Sequence, residues 1–251
     1  MPNGRFLTVR DTRLTHLAGS LGYNAPLVRS LLAIYLELKG SLVMMKLRYP
    51  LLFLLLTGCL TLAFYATQPE QPQQADYYPA GRDINDFAFT DADNKPFTPA
   101  NLKGHWTFLF IGYTFCPDIC PTTMADMRSV YDQLKKMASN SQVVFISADP
   151  QRDDIPRLKT YTAFFNPEFK AATAPHDQLF PFVRNLGLIY SIANQGEKDY
   201  LIDHSASIVL INPKGKLQGV FRPQVVPGEV PRVPMATMLS DFSRMMKLAG
   251  Y

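Results

Sequence analysis

The sequence predicts an α/β protein: a central sheet flanked by helices, preceded by one N-terminal transmembrane helix. Three observations carry this. An uncharged apolar run is centred between residues 50 and 66. Two nearly continuous apolar runs of strand length, 106–113 and 142–148, follow further along. Each of these is followed by a stretch with helical periodicity. The 251 residues are 47% hydrophobic and 18% charged, which suits one sizeable domain with extra segments and excludes a disordered polar tract. Three cysteines are too few for a disulfide-stapled scaffold or a four-thiolate zinc site.

The first element is the membrane helix. Tyr49 to Pro69 carries no charge, and its apolar core is Pro50 to Ala66. As a helix that core reaches about 26 Å, near the short end for a span. Lys46 and Arg48 precede it and Glu70 follows, so the N-terminal side is expected in the cytoplasm and the bulk of the chain outside it. A single-pass anchor over 49–68 is the reading that fits best. Leu56-Thr57-Gly58-Cys59 also resembles a bacterial lipobox, which would make Cys59 an acylated residue and the protein a lipoprotein. A cleaved signal peptide fits less well, because no A-x-A site closes the run. Residues 1–48 form a leader, and Met44-Met45 before a short basic stretch suggests that translation starts there, leaving 1–43 untranslated. Residues 69–82, rich in Gln and Pro, read as an extended tether.

Net charge is +4, but residues 1–49 hold +5 of it and the remainder is close to neutral. No basic face for nucleic acid is visible, and a nucleic-acid partner is not expected.

Residues 83–251 form the folded domain. Phe87, Phe89 and the turn Asp91–Lys95 suggest a small hairpin. Residues 106–113 read as a buried central strand. Pro121 stands where a helix accepts a first-turn proline, and Met124, Met127, Val130, Tyr131, Leu134 and Met137 recur at helical spacing. Residues 142–148 form a second buried strand. Helices are expected over 155–165 and 177–186, the latter with Pro181 near its start. Residues 206–212 and 216–222 flank the turn Asn212-Pro213-Lys214-Gly215 as two strands, and 235–246 show one apolar helical face. A cysteine pair where the first central strand meets its helix makes the arrangement thioredoxin-like.

That pair is Cys116-Pro117-Asp118-Ile119-Cys120, a CxxxC. In a helical segment, residues four apart share a face, so both thiols can close on one metal ion or oxidise to a disulfide. A helix N-terminus favours thiolate, and thiolates select soft ions such as Cu(I) or Zn(II). His204, just before a strand whose entry loop should face the cysteines, is the candidate third ligand. Two thiolates and one imidazole suit three-coordinate Cu(I) and can also hold Cu(II); structural zinc wants a fourth ligand. The bland alternatives are a structural cysteine pair or disulfide, and a hydrogen-bonded loop histidine. His105 and His176 read as surface residues, and His16 lies before the anchor. The methionines have core spacing. The absence of C-x-x-C-H excludes attached c-type haem. Leu109 and Tyr113 stand where thioredoxin-like peroxidases place Pro and Thr, which argues against that activity.

Three strings, Gly112 to Pro121 (GYTFCPDICP), Asp149-Pro150-Gln151-Arg152-Asp153 and Asp203-His204-Ser205-Ala206, together resemble the Sco/SenC family over about Ile84 to Phe221. The resemblance implies a membrane-anchored, thioredoxin-like copper protein of the bacterial inner membrane with its soluble domain in the periplasm. It implies Cys116, Cys120 and His204 as copper ligands. The function implied is a chaperone delivering copper to the CuA centre of cytochrome c oxidase, or a thiol–disulfide reductase keeping the CuA cysteines reduced through the redox pair Cys116 and Cys120. The implied partners are the copper-binding oxidase subunit and a thiol reductase. Asp153 is expected to cap the following helix. Asn94 stands where the family usually has Gly, and 170–175 lacks the usual Leu-Thr-Gly.

Overall fold

The computed structural model describes residues 26–68, 70–193 and 199–251. Most of the expected leader, including His16, lies outside them. The chain divides into two units, one up to Gln68 and one from Pro69 onward.

Among the described residues, the first unit holds the helix α1 (Pro26–Ala66). It begins well before residue 49, so residues 26–48 of the expected leader are helical and continuous with the apolar run. Tyr49–Ala66 has a mean hydropathy of 1.8 and is long and apolar enough to cross a membrane. Its threonine hydroxyls are satisfied internally: Thr57 Oγ1 donates to the Phe53 carbonyl at 2.9 Å, and Thr61 Oγ1 to that of Gly58 at 2.9 Å. Such back-bonding lets Thr sit in an apolar helix without an orphaned donor.

The second unit is built on an eight-stranded mixed sheet. Its strands are β1 (Ala75–Arg82), β2 (Phe89–Asp91), β3 (Pro96–Phe97), β4 (Trp106–Gly112), β5 (Ser141–Ser147), β6 (Lys170–Thr173), β9 (Ile208–Ile211) and β10 (Leu217–Phe221). The order across the sheet is β1-β10-β9-β4-β5-β6-β2-β3. β4, β5 and β6 run parallel; the other pairings are antiparallel. A separate hairpin pairs β7 (Tyr190–Ile192) with β8 (Ile202–His204). The helices are α2 (Ile119–Met137), α3 (Ile155–Phe165), α4 (His176–Asn185) and α5 (Met235–Leu248). Every residue of β4 and β5 is buried, which requires cover on both faces and explains their unbroken apolar runs. Phe242 of α5 packs edge-on against Trp106 and Phe108 of β4, and Tyr161 of α3 lies against Phe145 of β5.

The expected hairpin, central strands and helices are present. The turn at Asp91 is held by its own carboxylate, which accepts from the Asp93 and Lys95 amides at 2.9 and 2.8 Å. Asn94 takes φ 59°, the left-handed region that glycine favours and asparagine tolerates, so the exchange for the family's usual Gly keeps the turn. Pro181 sits in the middle of α4 rather than near its start.

One boundary needs correction. Residues 75–82 belong to the domain and not to a tether: they form β1, paired with β10 from Ala75↔Phe221. The amides of Gln73, Gln74 and Ala75 all donate to the buried carboxylate of Asp241 on α5, at 2.7, 2.9 and 3.0 Å. Three charge-assisted bonds fix the chain at the start of the strand. The domain therefore begins before residue 83.

Candidate metal centre

The site forms where β4 ends. After Gly112 the chain leaves the sheet, passes Cys116 and enters α2 at Ile119, which places Cys120 in the first helical turn. Cys116 is half-buried and Cys120 fully buried; both are free thiols. Gly112 makes this close approach feasible. A Cβ there would lie 2.5 Å from the Cys120 sulfur and 2.9 Å from the Phe145 ring, so no larger residue fits without displacing one of them.

His204 arrives from another direction, as the last residue of β8, paired with Tyr190. Its ring stands edge-on to Phe110 and Tyr113. Nδ1 lies 3.2 Å from the Ser205 carbonyl and donates to it. Nε2 lies 3.2 Å from the Cys120 sulfur. The ligand atoms of Cys116, Cys120 and His204 all lie within 4.8 Å of one another. The structure thus brings together the three residues singled out in the sequence. A cleft of about 490 Å³ opens onto Cys116 and His204, walled by Tyr113, Leu201 and the loop around Gly228.

The two thiols differ electrostatically. The Cys120 thiol donates toward the Cys116 sulfur and pulls its pKa from the usual 9.0 down to about 4; burial opposes this, while His204 and the backbone N–H groups of Asp118 and Cys120 assist. Burial, and then the charge on Cys116, push Cys120 far up. The resting pair is one thiolate and one thiol, and a metal ion entering between them displaces the Cys120 proton. Iodoacetamide is therefore expected to label Cys116 and spare Cys120, at a rate nearly flat from pH 6 to 8 and falling only as pH approaches about 4. Peptide mapping separates this label from any on Cys59. A rate rising about tenfold per pH unit across that range would mark an ordinary thiol.

Other residues fall elsewhere. His105 and His176 are half-buried, not surface residues: Nδ1 of each is hydrogen-bonded, to the Asn140 carbonyl at 3.1 Å and the Tyr190 hydroxyl at 2.8 Å. Neither joins the cluster. The cap of α3 is Asp154, which accepts from the Arg157 amide at 2.8 Å, and not Asp153. Asp153 is buried and turned the other way. It accepts from the amide and hydroxyl of Thr114 at 2.9 and 2.5 Å and from Ser147 Oγ at 2.6 Å, which ties β5 to the cysteine segment. Burial raises its pKa against those hydrogen bonds. Gly112 is a further residue that shapes the site.

A thioredoxin-like sheet with two thiols and an imidazole converging at the end of its central strand defines a class of thiol-based, metal-competent domains. The SCO1/SenC family model matches residues 76–233, and the chain belongs to that family. The match begins inside β1, in agreement with the corrected boundary. A protein named as copper-binding from Stutzerimonas stutzeri is 39% identical over 145 residues, 57% of this chain and 71% of that protein. The structure of Bradyrhizobium japonicum ScoI with copper bound is 29% identical, with a TM-score of 0.52 over 64% of this chain and 98% of that one. BsSco, described as a member of the Sco family of cytochrome c oxidase assembly proteins, shares the fold at 23% identity and a TM-score of 0.52, over 69% of this chain and 98% of that one. Several mitochondrial relatives are longer, the chain spanning about half their length.

Proposed function

We propose that this protein is a membrane-anchored copper chaperone that delivers copper to the CuA centre of cytochrome c oxidase during assembly. The observation that carries the reading is the convergence of two cysteine sulfurs and a histidine nitrogen within 4.8 Å. Copper is the cargo. Soft thiolates favour Cu(I), the imidazole completes a three-coordinate set, and Cu(II) is also accommodated by nitrogen and sulfur donors. Half-buried Cys116 and His204 at the cleft give an incoming ligand a way to exchange onto the metal. With basic residues before the apolar helix, the copper domain is assigned to the periplasmic side of a bacterial inner membrane. Anaerobic Cu(I) titration against a chromophoric chelator tests the reading. One Cu(I) per chain is expected, and a reduced chain that takes up none overturns it.

A second reading, thiol–disulfide reduction of the CuA-site cysteines, is favoured by the thiolate–thiol asymmetry. The Cys116 thiolate would attack the target disulfide, and Cys120 would then lose its proton and resolve the mixed disulfide, leaving Cys116 and Cys120 oxidised and the target reduced. A partner thiol reductase would return the pair to the dithiol. His204 separates the two roles, because copper transfer needs it and thiol exchange does not. Full oxidase assembly in a strain carrying His204→Ala would make reduction the main role.

A further inference from the structure

Two segments far apart in sequence carry the ligands, and something must hold them in register. The turn 149–153 touches both. It is closed by the Asp149 carbonyl, which accepts from the amides of Arg152 and Asp153 at 3.3 and 2.9 Å. Through Asp153 the turn grips Thr114, two residues before Cys116. Through Asp149 it grips the histidine hairpin: the Tyr200 hydroxyl, four residues before His204, donates to Asp149 Oδ1 at 2.5 Å. Asp149 Oδ2 accepts from Arg152 Nε at 2.5 Å. The Arg152 guanidinium then lies 3.5 Å over the Tyr200 ring, 5.0 Å from Phe115 and 5.7 Å from Tyr113. Asp149 is fully buried and Tyr200 nearly so, where such stacked and charged contacts are strongest.

We infer that the turn 149–153 is a bracket that sets the position of His204 against the two cysteines, with Tyr200, Asp149 and Arg152 as positioning residues. One arm fixes the cysteine segment and the other the β7–β8 hairpin. A residue that orients a metal ligand without touching the metal commonly changes affinity by 10- to 100-fold. The inference rests on the proposed copper reading for its functional meaning, but its structural part can be measured without metal.

The test uses the full chain in detergent, carrying Cys59→Ser so that only the site binds copper. Tyr200→Phe removes one hydroxyl and keeps the ring. In the metal-free protein, hydrogen exchange of the peptide containing Ile202 to His204 is expected to quicken, while β4 and β5 keep their protection. Cu(I) affinity is expected to fall about tenfold. In a His204→Ala background the same change should cost nothing further, because the residue being positioned is gone. Arg152→Lys, which keeps the charge but loses the planar stack, should show a loss of the same kind. Unchanged exchange together with unchanged affinity overturns the inference. So does a loss of equal size in the His204→Ala background, which would mark a general packing effect. If the parent chain binds no copper, the chaperone reading fails alone and the exchange result still decides whether the bracket holds the hairpin.

Discussion

Cys120→Ala lowers Cu(I) affinity by more than about a hundredfold, beyond the range that losing an outer-shell partner costs. Phe110, Phe145 and the backbone at Gly112 crowd around the Cys120 sulfur, and none of them offers a soft ligand. With the sulfur removed, Cys116 and His204 remain, and a two-ligand remnant competes poorly with a chelator. Cys120→Ser is expected to fail equally, since a serine hydroxyl matches the shape but supplies neither a thiolate nor a soft donor. His204→Ala is expected to lose less, because both thiolates survive. Competition titration under anaerobic conditions ranks the three variants, with circular dichroism checking that each is folded. Cys120→Ala binding within threefold of the parent would remove this cysteine from the ligand set.

Gly112→Ala destabilises the domain by about 3 kcal/mol, the upper end of ordinary overpacking. The added methyl meets the Cys120 sulfur at 2.5 Å and the Phe145 ring at 2.9 Å, and both neighbours are buried with nowhere to retreat. The strain falls on the site as well as on the core, so copper binding weakens along with stability. A second substitution separates the causes. Cys120→Ala in the Gly112→Ala background removes the nearest clash, and part of the lost stability should return. Urea denaturation of the reduced proteins measures all of these. If Gly112→Ala matches the parent midpoint, the close approach of β4 to α2 is not a constraint.

The three converging residues were legible because their signals are of two readable kinds. Cys116 and Cys120 announce themselves by local spacing at a strand-to-helix junction. His204 is found by its topological place, since the sheet order returns β9 beside β4. The bracket was not legible: Asp153 looks like a helix cap beside Asp154, and only tertiary packing turns it toward Thr114. Tyr200 pairs with Asp149 across 51 positions of sequence, with no motif spacing to mark it. The small strands escaped for another reason. β6 spans four residues and β7 and β8 three each, too short for periodicity to register. β1 was hidden by composition, because glutamine and proline read as a linker while the partner strand and Asp241 make the segment part of the sheet.

The placement of β1 bears on solubility. A sheet of eight strands ends in two edges, and an open edge is a template on which another copy can add a strand. At one end β3 is only two residues long. At the other, β1 carries Pro79, which has no amide proton to offer, and its register slips between Tyr77 and Arg82. The Arg222–Asp76 ion pair adds charge beside the same strand. Neither rim of this sheet presents a flat, continuous row of donors and acceptors, so its edges give crowded copies no regular template to extend.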